Sequence, residues 1–471
     1  MDYDVVIIGA GLSGLAAGIR LAHYGKKVVI FERHTLIGGL NSWYRRHGRE
    51  FDVGLHAMTN FALASEKTAP LNKMLRQLRI RYADLHLEPQ SYSLIRFPSQ
   101  ELRFANRLDE LEQSVARTFP GQLAGFRALV RRVEAIPPYS LQEHPFPART
   151  ILGEHISDPL LIDMLLCPLM YYGSAVQGDM EFSQFCIMFR SIFLEGLARP
   201  AGGIRVLLDL LLARYLQSGG ELRLRCGVRK LLLRDGQVRE VELQDGARFE
   251  AGAVLSSAGY IETLRLCDPL PPETQTHPAG ELAFVETIFL LDRPPAAFGF
   301  TPCNLFFNDS ERFHFARPTR LVDARSGVVN APDNFVAEAD GAVARGDSVL
   351  RLTQLGDHEP WRNMRADTYQ ASKDRLLEEQ LTILDRLLPG IRNHVVCTGM
   401  FTPRSVLRFT GHIHGAVYGS PQKLRDGTTR IGGLFICGTD QGFLGIVGAL
   451  LSGITMANRH FLARPSRNET L

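Results

Sequence analysis

DVVIIGAGLSGLAAGIRLAHYGKKVVIFER, residues 4–33, decides the fold. Apolar strand formers run from Asp4 to Gly9, the turn Gly9-Ala10-Gly11-Leu12-Ser13-Gly14 follows, and a helical pattern then carries Leu15, Ile19 and Leu21 as far as Gly25. A second strand, KVVIFE, ends on Glu32. Strand, glycine turn, helix and strand in this order open a dinucleotide-binding α/β sheet. Gly9 makes the tight turn, Gly11 lets backbone approach a pyrophosphate, and Gly14 lets the helix pack close to the strand. Helix N-terminal N–H groups then face the anion. Glu32, 23 positions after Gly9, falls where a carboxylate accepts hydrogen bonds from an adenosine ribose, which favours a free 2′-hydroxyl over a 2′-phosphate. These residues do not separate FAD from NAD.

The chain has 471 residues, 45% hydrophobic and 22% charged, enough for a large core in two or three lobes. Its 53 basic and 50 acidic residues leave a net charge of +3 and no basic tail or stripe, which excludes a nucleic-acid binder as the leading reading. The seven cysteines, at 167, 186, 226, 267, 303, 397 and 437, form no CxxC and no metal-ligand spacing, so free thiols in a reducing compartment are expected, and no metal. The segment before Asp4 has neither a basic leader nor a cleavage region, and no stretch reaches the roughly 20 apolar residues that span a bilayer. A cytoplasmic location is expected.

The next stretch favours FAD. Gly38-Gly39 lies just beyond the second strand, where an NAD-only dehydrogenase has no use for a glycine pair, and FDVGLHAMT follows at 51–59. Here the chain resembles the phytoene desaturase-like branch of the FAD-dependent amine oxidoreductases, which includes carotenoid isomerases and retinol saturases; FDVGLHAMT is similar to the FD-x-G-x-H element of the isomerase and saturase members. RPAGGIRVLLDLLLARYLQSGGELRLRCGVRKLLLRDGQVREVELQDGARFEAGAVLSSAG, residues 199–259, reads as the returning half of a Rossmann domain: an apolar helix between Gly202-Gly203 and Gly219-Gly220, then strands with turns at Asp235-Gly236 and Asp245-Gly246. TPRSVLRFTGHIHGAVYG, residues 402–419, is similar to the family's T-P-x-x-x-x-R-x-T…G-A-x-Y-G segment. GLFICGTDQGFLGIVGALLSGITMANRHF, residues 433–461, is similar to its closing flavin motif but lacks the Pro-Gly-Gly usual in carotenoid desaturases.

The resemblance implies a Rossmann-like FAD-binding domain of the two-dinucleotide-binding-motif kind with a discontinuous α+β substrate domain. The FAD-binding domain is expected in three segments, 1–75, 199–259 and 396–471, with a helical substrate- and membrane-facing domain at 76–198 and a second substrate segment at 260–395. FAD contacts then fall on Gly9, Gly11, Leu12, Ser13, Gly14, Glu32, Arg33, Gly38, Gly39, Leu40, Asn41, His56, Val228, Gly438, Asp440, Gly445, Ile446 and Val447. The resemblance puts Val228 over the adenine. Asp440 is expected to accept from a ribityl hydroxyl, and the N–H groups of Gly445 to Val447, at a helix start, to face the pyrimidine edge of the flavin.

The substrate region is aromatic. In SQFCIMFRSIFLEGLA, residues 183–198, Phe185, Met188, Phe189, Ile192 and Phe193 recur at helical spacing, which fits a hydrocarbon tunnel, a membrane-touching face or plain core packing; PLLIDMLLCPLMYYG, with Tyr171 and Tyr172, reads the same way. His56 is the candidate catalytic residue, against the plainer reading of a hydrogen-bonded structural histidine. His412, His414 and His358 bring no third metal ligand at a recognisable spacing and are read as structural. The expected function is FAD-dependent desaturation, isomerisation or saturation of carbon–carbon bonds in a lipophilic polyene or isoprenoid, collected peripherally from the inner face of a membrane. An amine oxidase-like flavoenzyme and a non-catalytic FAD-binding lipid or prenyl escort are the alternatives.

Overall fold

The structure is a computed structural model that describes residues 1–46, 48–54, 56–137, 146–335 and 348–463. The opening strand, Tyr3–Ile8, pairs in parallel with Val28–Phe31 on one side and Arg248–Ser256 on the other. These form the centre of an eight-stranded sheet, extended by Glu221–Arg223 beyond Val28–Phe31 and by Val228–Arg234 and Gln237–Leu243 beyond Arg248–Ser256. Leu434–Ile436, more than 400 residues along the chain, adds in parallel to Arg248–Ser256. Parallel pairing buries both faces, so these strands read as unbroken apolar runs.

One face is covered by the opening helix (Leu12–His23), the helix Ile204–Gln217 and the closing helix (Gly445–Ala457), whose apolar sides share one core. Arg20 of the opening helix donates to Asn458 just after the closing helix, from Nε at 3.1 Å and Nη2 at 2.9 Å. The two ends of the chain are therefore packed together. Gly14 is obligatory at its position: a Cβ there would overlap the Gly9 carbonyl oxygen and lie 3.3 Å from the Ile7 side chain, so only glycine lets the helix start this close to the strand.

A second sheet of seven strands runs in the order Val395–Phe401, Ala283–Leu291, Ser348–Gly356, Ser326–Asn330, Asn304–Asn308, Ser93–Arg96, Glu101–Phe104, and all its pairs are antiparallel except Asn304–Asn308 with Ser93–Arg96. The helix Ala366–Leu387 packs on one face, around Leu381 and Leu384, and helices drawn from residues 108–194 pack on the other.

The aromatic stripe belongs to this second core. Phe185, Met188, Phe189, Ile192 and Phe193 are all 2% exposed or less, stacked among Phe104, Phe126 and Phe182, so they are neither a tunnel wall nor a membrane-facing surface. The helix Phe182–Phe189 continues as a wider turn, Arg190–Leu194, and Arg190 ties that turn to the carbonyls of Val133, Glu134 and Ile136. Ile192→Val is expected to lower stability by about 0.5–1.5 kcal/mol through a lost buried methyl group. Denaturant unfolding checks this, and turnover is expected to stay at the wild-type level because Ile192 lies in the core. Among the described residues no helix is long and apolar enough to cross a membrane. All seven cysteines are free thiols.

Candidate active site

A cavity of about 550 Å³ runs from the glycine turn to the seven-stranded sheet. At one end its wall is Gly9, Gly11, Leu12, Ser13, Glu32, Arg33 and the segment Gly38 to Asn41, faced by Gly227, Val228 and residues 409–413. Glu32 shapes this end by accepting from Ala10 N at 2.7 Å and His34 N at 2.8 Å, which fixes the turn and the chain leaving the second strand. Arg33 reaches the carbonyls of Leu407 and Arg408, the last turn of the helix Pro403–Thr410, so residues 402–413 are drawn over the cavity. Glu262 holds the far side of that segment through Ile413 N at 2.7 Å; burial pushes its carboxyl up, with His412 opposing.

Two features of the wall fit a pyrophosphate-bridged dinucleotide. Leu15 N is the first N–H of the opening helix to find its backbone acceptor, Gly11 O at 3.0 Å, so the N–H groups before it face the cavity end without a backbone acceptor among the described residues. Gly11 itself has an ordinary φ of −71° and nothing within 4 Å of where a Cβ would stand. The protein fold does not require glycine there; the space above it is open cavity.

The element at 51–59 explains itself residue by residue. Phe51 stacks on Tyr44 with ring centroids 4.9 Å apart. Asp52 accepts from Arg199 Nη2 at 3.1 Å and Ile204 N at 3.3 Å, anchoring the start of the helix Ile204–Gln217. Gly54, at φ +69°, lies where a Cβ would overlap the Leu40 carbonyl oxygen. Leu55 is outside the described residues. His56 lies on the cavity wall, with Nε2 2.8 Å from Thr353 Oγ1 and 3.0 Å from Glu286 Oε2.

His56 thus belongs to a polar corner whose other members the sequence reading missed. Glu286 and Thr353 pair across adjacent strands, and Arg351, two residues from Thr353 on the same face, donates from Nη1 to Glu286 Oε1 at 2.7 Å and from Nη2 to the Asp52 carbonyl at 2.8 Å. Burial alone would raise the Glu286 carboxyl, but Arg351 and His56 hold it down to about 2. The available signal was a lone charge in each of two otherwise uncharged, buried strands, AFVETIFLL and SVLRLTQLG.

Around the corner the wall is aromatic: Tyr171, Tyr172, Phe284, Phe401 and Tyr418, with Val417, Phe443 and Ala57. Burial pushes the Tyr172 and Tyr418 hydroxyls up. Tyr418 OH donates to the Tyr171 carbonyl, whereas Tyr172 OH is buried with no hydrogen-bond partner among the described residues. The first turn of the closing helix meets the same space at Gly445 and Ile446, and the N–H groups of Gly445, Ile446 and Val447 have no protein acceptor among the described residues.

Of the predicted contact residues, Gly9, Gly11, Leu12, Ser13, Glu32, Arg33, Gly38, Gly39, Leu40, Asn41, His56, Val228, Gly438, Gly445 and Ile446 line one cavity. Gly14 lies behind the wall, in the helix–strand contact, and the Val447 side chain is fully buried in the core. Asp440 needs correction. Its carboxylate is 2% exposed, does not line the cavity, and accepts from Tyr260 N at 2.6 Å and Ser420 N at 2.8 Å. Backbone N–H groups from two separate segments converge on it, so Asp440 clamps protein segments together behind the cavity wall.

A Rossmann-like half with a dinucleotide-shaped wall, opening onto an antiparallel-sheet half, defines a flavin-dependent oxidoreductase. Residues 12–459 match the family described as flavin containing amine oxidoreductase, and the chain belongs to it. FAD is its cofactor. The sequence is 24% identical over 509 residues to prolycopene isomerase 2 of an Oncidium hybrid cultivar, covering 97% of this chain and 84% of the relative. It is also 24% identical over 535 residues to the all-trans-retinol 13,14-reductase of Danio rerio, covering 96% and 85%. Among solved structures, an oxidoreductase from Methanosarcina mazei superposes with a TM-score of 0.67 at 18% identity (96% of this chain, 99% of that one), and a putrescine oxidase variant with 0.63 at 16% (97% and 98%). The structural likenesses carry the fold.

Proposed function

We propose that the protein acts on carbon–carbon bonds of a lipophilic polyene or isoprenoid, by desaturation, isomerisation or saturation. The observation that carries this reading is the continuity of one cavity from the glycine turn to the aromatic wall of Tyr171, Tyr172, Phe284 and Tyr418. The names of the relatives, a carotenoid isomerase and a retinol reductase, support it.

In this reading the turn Gly9 to Ser13 and the start of the opening helix hold the pyrophosphate, Glu32 the ribose, Val228 the adenine side, and the first turn of the closing helix the flavin ring. When bound, the isoalloxazine supplies a two-electron donor or acceptor, so the chain needs no nucleophile of its own. The aromatic wall excludes water and takes the flat, apolar polyene along its faces. His56 places a proton-exchanging group in that otherwise apolar space. His56→Ala is expected to lower turnover with flavin content intact; unchanged turnover would remove His56 from the mechanism.

The amine oxidase-like alternative wants an aromatic cage and a lysine-bridged water; the wall offers the aromatic side chains, but among the described residues lining the cavity none is a lysine. Anaerobic mixing of the yellow protein with phytoene-like, squalene-like and retinoid compounds, followed by flavin absorbance and product mass, tests the reading. Bleaching, or a product of altered bond geometry or hydrogen count, with at least one of them is expected. Neither change with any of them, but bleaching by amines, would favour the alternative; no response to either class would favour an escort. A polyene is insoluble in water, so we extend the proposal to peripheral pick-up from a bilayer, and protein that stays wholly unbound to liposomes contradicts that extension.

A further inference from the structure

The polar corner is organised more tightly than an apolar ligand alone requires. Glu286 accepts two hydrogen bonds, Arg351 Nη1 on Oε1 at 2.7 Å and Thr353 Oγ1 on Oε2 at 3.2 Å, and its Oε2 also lies 3.0 Å from His56 Nε2 as an ion-pair contact. Glu286 Oε2, 3.0 Å from His56 Nε2, can only accept; with a proton on Nε2 the Thr353 hydroxyl is free to donate to Glu286 at 3.2 Å while its oxygen accepts in the 2.8 Å contact with Nε2. Both neighbours of Nε2 are then acceptors. The ring's proton therefore sits on Nε2.

His56 Nδ1 differs in every respect. It has no hydrogen-bond partner among the described residues, it is not one of the buried nitrogens sealed from solvent, and its ring lies on the cavity wall with the side chain 17% exposed. Arg351, gripping the other oxygen of Glu286 and the Asp52 carbonyl, keeps the carboxylate from rotating away. We propose that Glu286 is a positioning residue that fixes the His56 ring in its Nε2–H form and leaves the Nδ1 lone pair as an acceptor open to the cavity. Which imidazole nitrogen carries the proton is commonly set by the hydrogen bond made at the other one, and here that second-line contact comes from strands more than 200 residues away in sequence. The inference rests on the proposed function only where it assigns that lone pair to the substrate side of the cavity.

The test is the nitrogen spectrum of the full-length, FAD-loaded protein labelled with ¹⁵N-histidine, at about pH 8, above the ordinary titration of imidazole. His56→Gln, by its missing signals, assigns the His56 resonances. The expected wild-type result is a protonated Nε2 and a bare Nδ1. Glu286→Gln is expected to shift both signals towards a mixture of tautomers, because an amide can donate as well as accept at that position. A wild-type ring protonated on Nδ1 alone, a ring protonated on both nitrogens, or an unchanged spectrum in Glu286→Gln would each overturn the proposal. If Glu286→Gln does not fold, the wild-type spectrum still decides the tautomer. Thr353→Val, which keeps the carboxylate, is expected to retain Nε2–H; a switch to Nδ1–H would give the fixing role to Thr353 instead. A protein with the predicted tautomer that converts no polyene would sink the function proposed above and leave this assignment standing; conversion by a protein in the Nδ1–H form does the reverse.

Discussion

The Gly14→Val protein is expected to be colourless and to unfold well below the wild type, by more than about 3 kcal/mol if it folds at all. A Cβ at this position overlaps the backbone carbonyl of Gly9, and a carbonyl in the turn between the opening strand and the opening helix cannot swing aside as the end of a flexible side chain does. The helix would have to move off the strand and take with it the packing against the closing helix. Gly11→Ala is the matched control. With an ordinary φ and open space around it, that protein is expected to lose flavin yet melt near the flavin-free wild type, because the new methyl group enters the cavity and not the core. The ratio of flavin to protein absorbance and a thermal melt on both variants check the pair. A yellow, stable Gly14→Val protein would contradict the account of the turn.

The second large effect falls on Arg351. Arg351→Met is expected to cost about 3–5 kcal/mol, since it removes the partner of a buried carboxylate and leaves the charge uncompensated. The pH dependence separates this from simple loss of packing. In the wild type Glu286 is held at about 2 against its ordinary 4.5, so its contribution to stability is fully present above about 4.5 and is lost as pH falls towards 2. Without Arg351 the largest opposing charge is gone and burial acts to raise the carboxyl. The deficit of the variant is therefore expected to be greatest near neutrality and to narrow as the solution is acidified, because Glu286 then protonates and no longer needs a cation. Urea unfolding across that range reads it; a deficit that does not vary with pH would show that Arg351 acts through packing alone.

These two residues also mark how far the sequence was legible. The neighbourhood of Gly14 could be read because all its parts lie within 30 residues, where strand, turn and helix are dictated by local backbone geometry and the carboxylate at Glu32 falls at a recognisable distance. The closing helix could be placed by its own motif. The corner of Glu286, Thr353 and Arg351 could not, because it exists only through the strand register that sets Glu286 opposite Thr353 and brings both beside His56. Nothing local in AFVETIFLL says which neighbour its one charge meets.

Periodicity misled in a different way. Phe185, Phe189 and Phe193 have the spacing of an apolar face, and a core and a tunnel need the same spacing; burial against Phe104 and Phe126 decides for the core. Tyr171 and Tyr172 carried the same ambiguity and fall on the cavity wall. Asp440 lies behind the cavity wall, and the N–H groups of Tyr260 and Ser420 that it holds approach through tertiary structure, which a carboxylate after a buried strand does not reveal.

The most direct test of the central claim is the electron density of crystals of the FAD-loaded protein. The account predicts one extended cofactor with its pyrophosphate over Gly11 and Ser13, its ribose at Glu32, its adenine beside Val228 and its isoalloxazine against Gly445 and Ile446, facing the chamber of Tyr171, Tyr172 and Tyr418. Density for the isoalloxazine turned away from that chamber, or for FAD anywhere outside this cavity, would contradict it.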